Sequence, residues 1–174
     1  MPADRTLTPA AGAPWAWPQG RIDGPSEFAA RVREVLAAAA GQGWREMVFS
    51  DPDFADWPLG ERAVAESLQA WAASGRSLRL VAAHFDVFQR SHARFVHWRR
   101  LWDPLIHCRA CSGAGAPEVP SALWTPQGIV HRIDALRSRG VSSAEPAARV
   151  ALRHALDECF QQGRPAFAAS VLGL

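Results

Sequence analysis

The stretch "SLRLVAAHFDVFQRSHARFVHWRRLWDPLIHCRAC", residues 77–111, decides the fold. Its first eight residues have a hydrophobic centre and no helix breaker, which predicts a strand over 77–84. Asp86 with Gln89 has the form of a capping box, and Phe88, Phe95, Trp98 and Trp102 follow on one helical stripe. Asp103 ends that helix, because the residue before Pro104 is pushed out of the helical region. "LIHCRAC", 105–111, predicts the next strand. Strand, helix and strand in this order make the unit of an α/β sheet with parallel neighbours.

The same alternation extends upstream. "EMVFS", 46–50, predicts a buried strand that ends at the turn-prone "DPDFADWP". Residues 60–74 place Val64, Leu68 and Trp71 on one stripe, with Gly75 as the stop. An earlier helix puts Phe28, Val32, Val35, Leu36 and Ala39 on one face and stops at Gly41 or Gly43. Downstream, "SALWT" and "GIVHRID" are separated by Pro126-Gln127 and predict a hairpin. "SRGVSSAEP" reads as a loop whose serines cap a last helix, 144–161, that buries Leu152, Ala155, Leu156 and Cys159. The expectation is an α/β fold. One domain over residues 21–174 carries a mixed β-sheet packed by helices, with an N-terminal helix. Residues 1–20, rich in Pro, Ala and Gly, are expected to form a flexible N-terminal arm. Ordering them would cost about 1–2 kcal/mol per residue, so the arm should be dispensable for folding. Trp15 and Trp17 stand out in it, as side chains that pack onto the domain or a partner.

Composition excludes several functions. All 19 Lys+Arg residues are arginine, and the 174-residue chain has no tyrosine. A Schiff-base lysine, a P-loop lysine or a tyrosine general acid is therefore ruled out. A net charge of +2 is too balanced for a nucleic-acid surface, so a nucleic-acid partner is not expected. No apolar run approaches the ~20 residues that span a bilayer, and the N-terminus lacks the apolar core of a secretory signal. Three cysteines suit reduced thiols better than a disulfide framework, and a cytoplasmic protein is expected.

Within the opening stretch, His97, Arg99 and Asp103 stand close to the His-x-Lys-x4-Asp signature of the phospholipase D superfamily. In that site the histidine attacks phosphorus and the lysine holds phosphate oxygens. Both face one ligand because residues i and i+2 of a strand point the same way. His97 and Arg99 fall inside a helix, where residues two apart point roughly 200° apart. Lysine is also replaced, and the spacing to Asp103 is one residue short. These residues do not form the motif.

The wider order of elements, "VFSDPDFADWPLG", "LRLVAAHFD", "HARFVHWRRLWDPLIHCRA" and the closing "RPAFAASVLGL", resembles a proteobacterial family with a degenerate phospholipase D-like α/β domain. The likeness covers about residues 44–174. It implies a phospholipase D-like architecture, with the histidine–lysine strand near "EVPSALWTP". That segment carries Pro120, Ser121, Leu123 and Trp124, and neither catalytic residue. The resemblance thus implies a domain without the catalytic pair.

Three other constellations bear on chemistry. Cys108-x-x-Cys111 lies beside His107, with His154 and Cys159 on the last helix, but a structural zinc site usually takes two such pairs. No metal and no cofactor are expected. Ser50, Asp51, His84 and Asp86 stand just past the C-terminal ends of the first two predicted strands, where open α/β sheets bind ligands. No G-x-S-x-G elbow surrounds the serine. Arg90, Arg94 and His97 share a face at spacings of four and three, and His84 emerges nearby. His84, Arg90 and Arg94 are the candidate anion site. The expected function is a non-catalytic binding or scaffold module for an anion or protein partner. Its rival is a hydrolase acting on a phosphoester or ester through His84 and its sheet-edge neighbours.

Overall fold

The computed structural model describes residues 14–169. Strand β1 (Gly20–Asp23) leads into helix α1 (Pro25–Gln42) and strand β2 (Glu46–Ser50). Helix α2 (Arg62–Ala72), strand β3 (Ser77–Ala82), helices α3 (Asp86–Ser91) and α4 (Ala93–Leu101) and strand β4 (Ile106–Ala110) follow. Strands β5 (Ser121–Trp124), β6 (Ile129–Asp134) and β7 (Arg139–Ser143), helix α5 (Pro146–Gln162) and the two-residue β8 (Arg164–Pro165) complete the order.

All eight strands join one mixed sheet, in the order β1-β7-β6-β5-β2-β3-β4-β8. β2, β3 and β4 are parallel, as strands joined by helical crossovers must be, and the other pairings are antiparallel. Alternate residues of each central strand serve opposite faces. Met47, Phe49, Leu78, Leu80, Leu123 and Val130 pack against α1, α2, α3 and α4. Val48, Ala122 and Ile129 meet Leu152 and Leu156 of α5 on the other face. The fold is an α/β domain with helices on both sides of the sheet.

Local chemistry sets the helix ends. Pro25 opens α1, where its missing N–H costs nothing, and the Glu27 carboxylate accepts the Asp23 N–H at 2.7 Å. Gly43 closes α1 in the left-handed region, at φ 68°.

Three expectations need correction. The helix read as starting at Asp86 is two helices, broken at His92, which lies at φ −123° and ψ 41°. His92 is buried, its Nε2 is 2.8 Å from the Phe54 carbonyl oxygen, and its ring meets Phe88 edge-on. This tertiary contact overrides helical propensity. Asp86 sits in the first turn, and Phe85 takes the cap position without a side-chain bond, so no capping box forms.

The loop read over "SRGVSSAEP" contains β7, which pairs with β6 on one side and with β1 on the other. Gly140 permits that pairing, since a Cβ there would lie 1.9 Å from the His131 carbonyl oxygen.

The arm read over residues 1–20 is docked where it is described. Trp17 is buried, and its Nε1–H donates to Ser142 Oγ at 2.9 Å. Trp15, Trp17 and Trp44 form a three-ring cluster with centroids 5.7–5.9 Å apart. Residues 1–13 of that reading lie outside the described residues.

Candidate functional site

The C-terminal end of β2 meets β5 and β6 around a buried guanidinium. Arg132 follows Val130 at strand spacing, so its side chain enters the same face of the sheet as the main core. Its head stacks over Phe28 of α1, 4.1 Å from the ring centroid. Nη2 donates to Asp51 Oδ1 at 2.7 Å and Nε donates to Ser121 Oγ at 2.7 Å. Nη1 donates to Asp56 Oδ2 at 2.7 Å and to Ser138 Oγ at 2.9 Å. All three nitrogens are engaged.

The acceptors are equally committed. Ser121 Oγ passes its own proton to Asp51 Oδ1 at 2.6 Å. Asp51 Oδ2 accepts the backbone N–H groups of Asp53 and Phe54 at 3.2 and 2.8 Å. These bonds hold the "DPDF" turn, in which buried Phe54 takes the costly φ of 61°. The Arg132–Asp51 pair has only 3% and 2% of its side chains exposed. A charge so deeply buried is tolerated when it is paired and hydrogen-bonded, and here each of the three guanidinium nitrogens has a partner.

Of the residues read from sequence at the sheet edge, Ser50 and Asp51 are buried, while His84 and Asp86 are exposed. Ser50 Oγ donates to the Pro120 carbonyl at 2.6 Å, so its proton is also spent. His84 uses its backbone N–H on the Pro52 carbonyl at 3.1 Å. No hydrogen bond joins it to Ser50 or Asp51 among the described residues. The four side chains disperse between core and solvent.

The candidate anion site of His84, Arg90 and Arg94 fares similarly. Arg90 lies in the last turn of α3 and Arg94 in the first turn of α4, so the break at His92 removes the helical spacing that put them on one face. Arg94 donates to the Gly60 carbonyl at 2.9 Å and, with His97, lines a groove between α2 and α4 that neither Arg90 nor His84 enters. Within the opening stretch, His97 is exposed whereas Arg99 is buried and ion-paired to Asp103 at 2.7 Å. The two point apart, as helix geometry requires.

The cysteines divide between the two faces of the sheet. Cys108 packs into the main core, whereas Cys111 and Cys159 share a smaller cluster with Val81 and Val119. His107 and His154 are exposed. Among the described residues, no three His, Cys, Asp or Glu side chains gather as a metal site would need. Burial pushes the Cys108 thiol up to about 11 against the opposing charge of Arg99, and burial pushes Cys159 up to about 11 as well. Both thiols should therefore alkylate about 100-fold more slowly at pH 8 than in the unfolded chain, because thiolate is the reactive form. Iodoacetamide labelling followed by peptide mass spectrometry checks this. Equal rates in folded and unfolded protein would refute it.

Arg132, Asp56 and Ser138 are the residues that the sequence reading left out, and Ser121 entered it only as a residue of the segment that lacks the catalytic pair. One signal was available for Arg132: a charged residue at an inward position of "GIVHRID", two places after Val130. Inward charges on a strand need partners, and Asp51 at the end of another strand supplies one.

No family model matches the sequence, and no curated protein matches it. Among solved structures, the chain is similar to TrmBL2, an archaeal chromatin protein whose structure is described as showing a novel mode of DNA binding. The identity is 11% and the TM-score 0.63, over 85% of this chain and 54% of that one. The chain thus spans about half the length of that protein. At this identity the likeness shows a shared α/β fold.

Proposed function

We propose that this chain is a non-catalytic binding or scaffold module with a degenerate phospholipase D-like architecture. The observation that carries the proposal is the saturation of Ser121. It stands on the strand where the family resemblance would place the histidine–lysine pair, and its hydroxyl both accepts from Arg132 and donates to Asp51. A nucleophile or phosphate-gripping residue needs a free lone pair or donor facing a cleft. Ser121 is buried, its proton is given to Asp51 and one of its lone pairs is taken by Arg132, and Arg132 has no nitrogen uncommitted. The rival hydrolase needs His84 beside Ser50, and the dispersal of those residues counts against it.

No helix among the described residues is long and apolar enough to cross a membrane. DNA binding is a property described for TrmBL2, and duplex DNA therefore belongs among the partners to be tested.

Purified protein should show no turnover of an aryl phosphodiester above background, and His97→Ala should leave that result unchanged. Turnover that disappears in Ser121→Ala, or in His84→Ala, would overturn the non-catalytic reading. Titration with short duplex DNA at low salt tests the nucleic-acid partner. A salt-dependent affinity would favour a nucleic-acid module over a protein scaffold.

A further inference from the structure

The outer edge of the sheet carries a cavity of about 720 Å³. It lies where β8 pairs with β4 only at Arg109 and Ala110 and Ala166 N–H donates to the Cys108 carbonyl, leaving Ile106 and His107 with a neighbouring strand, β3, on one side alone. The space opens round that edge, between Arg99 and Asp103 on one side and Phe160 of α5 on the other, with Phe167 as a further wall.

Three arginines and one carboxylate line it. Arg79 is committed to Glu46 and Asp157, each at 3.0 Å. The other two are not fully used. Arg109 stacks 4.4 Å from the centre of the Phe160 ring, and among the described residues only its Nη1 donates, to the Phe160 carbonyl at 2.9 Å. Arg99 lies 5.3 Å from the centre of the Phe167 ring and gives Nη1 to Asp103. Its Nε is buried with no hydrogen-bond partner among the described residues.

That unpartnered nitrogen distinguishes this cavity from the Arg132 cluster. An unmade hydrogen bond on a buried cation costs more than on a neutral group, so buried charged donors are seldom left idle. Asp103 is more than half exposed and does not reach it. An oxyanion entering from the β4 edge would accept from the Arg109 donors that make no hydrogen bond among the described residues, with the charge of the Arg99 guanidinium beside it. Phe160 and Phe167 would then enclose the apolar part of the molecule.

We propose that this cavity is a binding site for a small molecule that joins one oxyanionic group, a phosphate or a carboxylate, to a planar apolar body. The inference rests on the binding-module reading for the purpose of the site, while its chemistry stands on Arg99 and Arg109. Neither Arg90 nor Arg94 lines it.

Calorimetric titration of the full chain at low salt with phenyl phosphate, benzoate and inorganic phosphate tests it. Phenyl phosphate or benzoate should bind about ten-fold more tightly than inorganic phosphate, a difference that measures the aromatic walls. The tighter of the two names the oxyanion. Arg109→Met, at the half-buried sheet edge, should weaken binding about ten-fold, as loss of a charge-assisted donor does. Arg99→Met should weaken it at least as much. Because Arg99 is buried, its variant is read only with an unchanged unfolding midpoint, and Arg109→Met carries the test otherwise. The double variant Arg90→Ala/Arg94→Ala should bind as wild type does. Equal affinity in wild type and Arg109→Met, loss in the α3/α4 variant, or no binding of any probe overturns the site. Phosphodiester turnover with these affinities intact would remove the module reading and leave the cavity standing.

Discussion

Arg132→Met should destabilise the protein by about 3–5 kcal/mol, the range found when one partner of a buried ion pair is removed. The methionine keeps much of the arginine's length and apolar stem, so little of the loss is packing. What remains is Asp51, 1% exposed, without its compensating charge. Ser121 and Ser138 also lose their donor, and Phe28 loses the cation over its ring. Urea unfolding followed by tryptophan fluorescence gives the midpoint. Adding Asp51→Asn to Arg132→Met should recover part of the loss, because a neutral amide costs less to bury than an orphaned carboxylate. A loss below about 1 kcal/mol for the single variant, the size of an exposed pair, would mean that water reaches the cluster. Its role as a closed structural network would then fall.

Trp17→Ala should cost about 3–5 kcal/mol, the usual range for removing a buried large aromatic. Trp17 leans on Trp15 and Trp44 and ties the chain ahead of β1 to Ser142 of β7. Deleting residues 1–19 should cost at least as much, since Trp15 goes with it. Trp44→Phe supplies the comparison: a ring stays in place, so its loss should be clearly smaller. Unfolding midpoints unchanged by the 1–19 deletion would restore the dispensable arm that composition alone suggests.

The packing of Trp17 shows why composition misleads at that end. A segment rich in Pro, Ala and Gly cannot build its own core, and nothing local marks it as ordered. Residues 14–19 pack because Trp17 enters a groove made by Trp44, Gly128 and β7, residues far along the chain. Gly128 belongs to that groove because a Cβ there would lie 2.4 Å from the Trp17 ring. Distant partners of this kind leave no period in the sequence.

Periodic elements were legible from the chain by itself. "EMVFS" is β2 residue for residue, and α1 buries Phe28, Val32, Val35, Leu36 and Ala39 as its stripe requires. The hairpin of β5 and β6, the strand–helix alternation and the mixed α/β sheet follow from burial repeating every two or 3.6 residues. Helix geometry also separated His97 from Arg99 before any coordinates. Tertiary structure alone decided the rest. β7 has too few apolar residues to announce itself, and it is a strand because β1 and β6 satisfy its backbone from both sides. His92 breaks a good helix because one buried hydrogen bond to Phe54 outweighs the propensity of a single residue. The Arg132 cluster draws on positions 28, 51, 56, 121, 132 and 138, which only the assembled sheet and α1 bring within hydrogen-bond and stacking distance. Local spacing encodes which face of an element is apolar. Which polar groups meet beneath that face depends on how the faces are stacked.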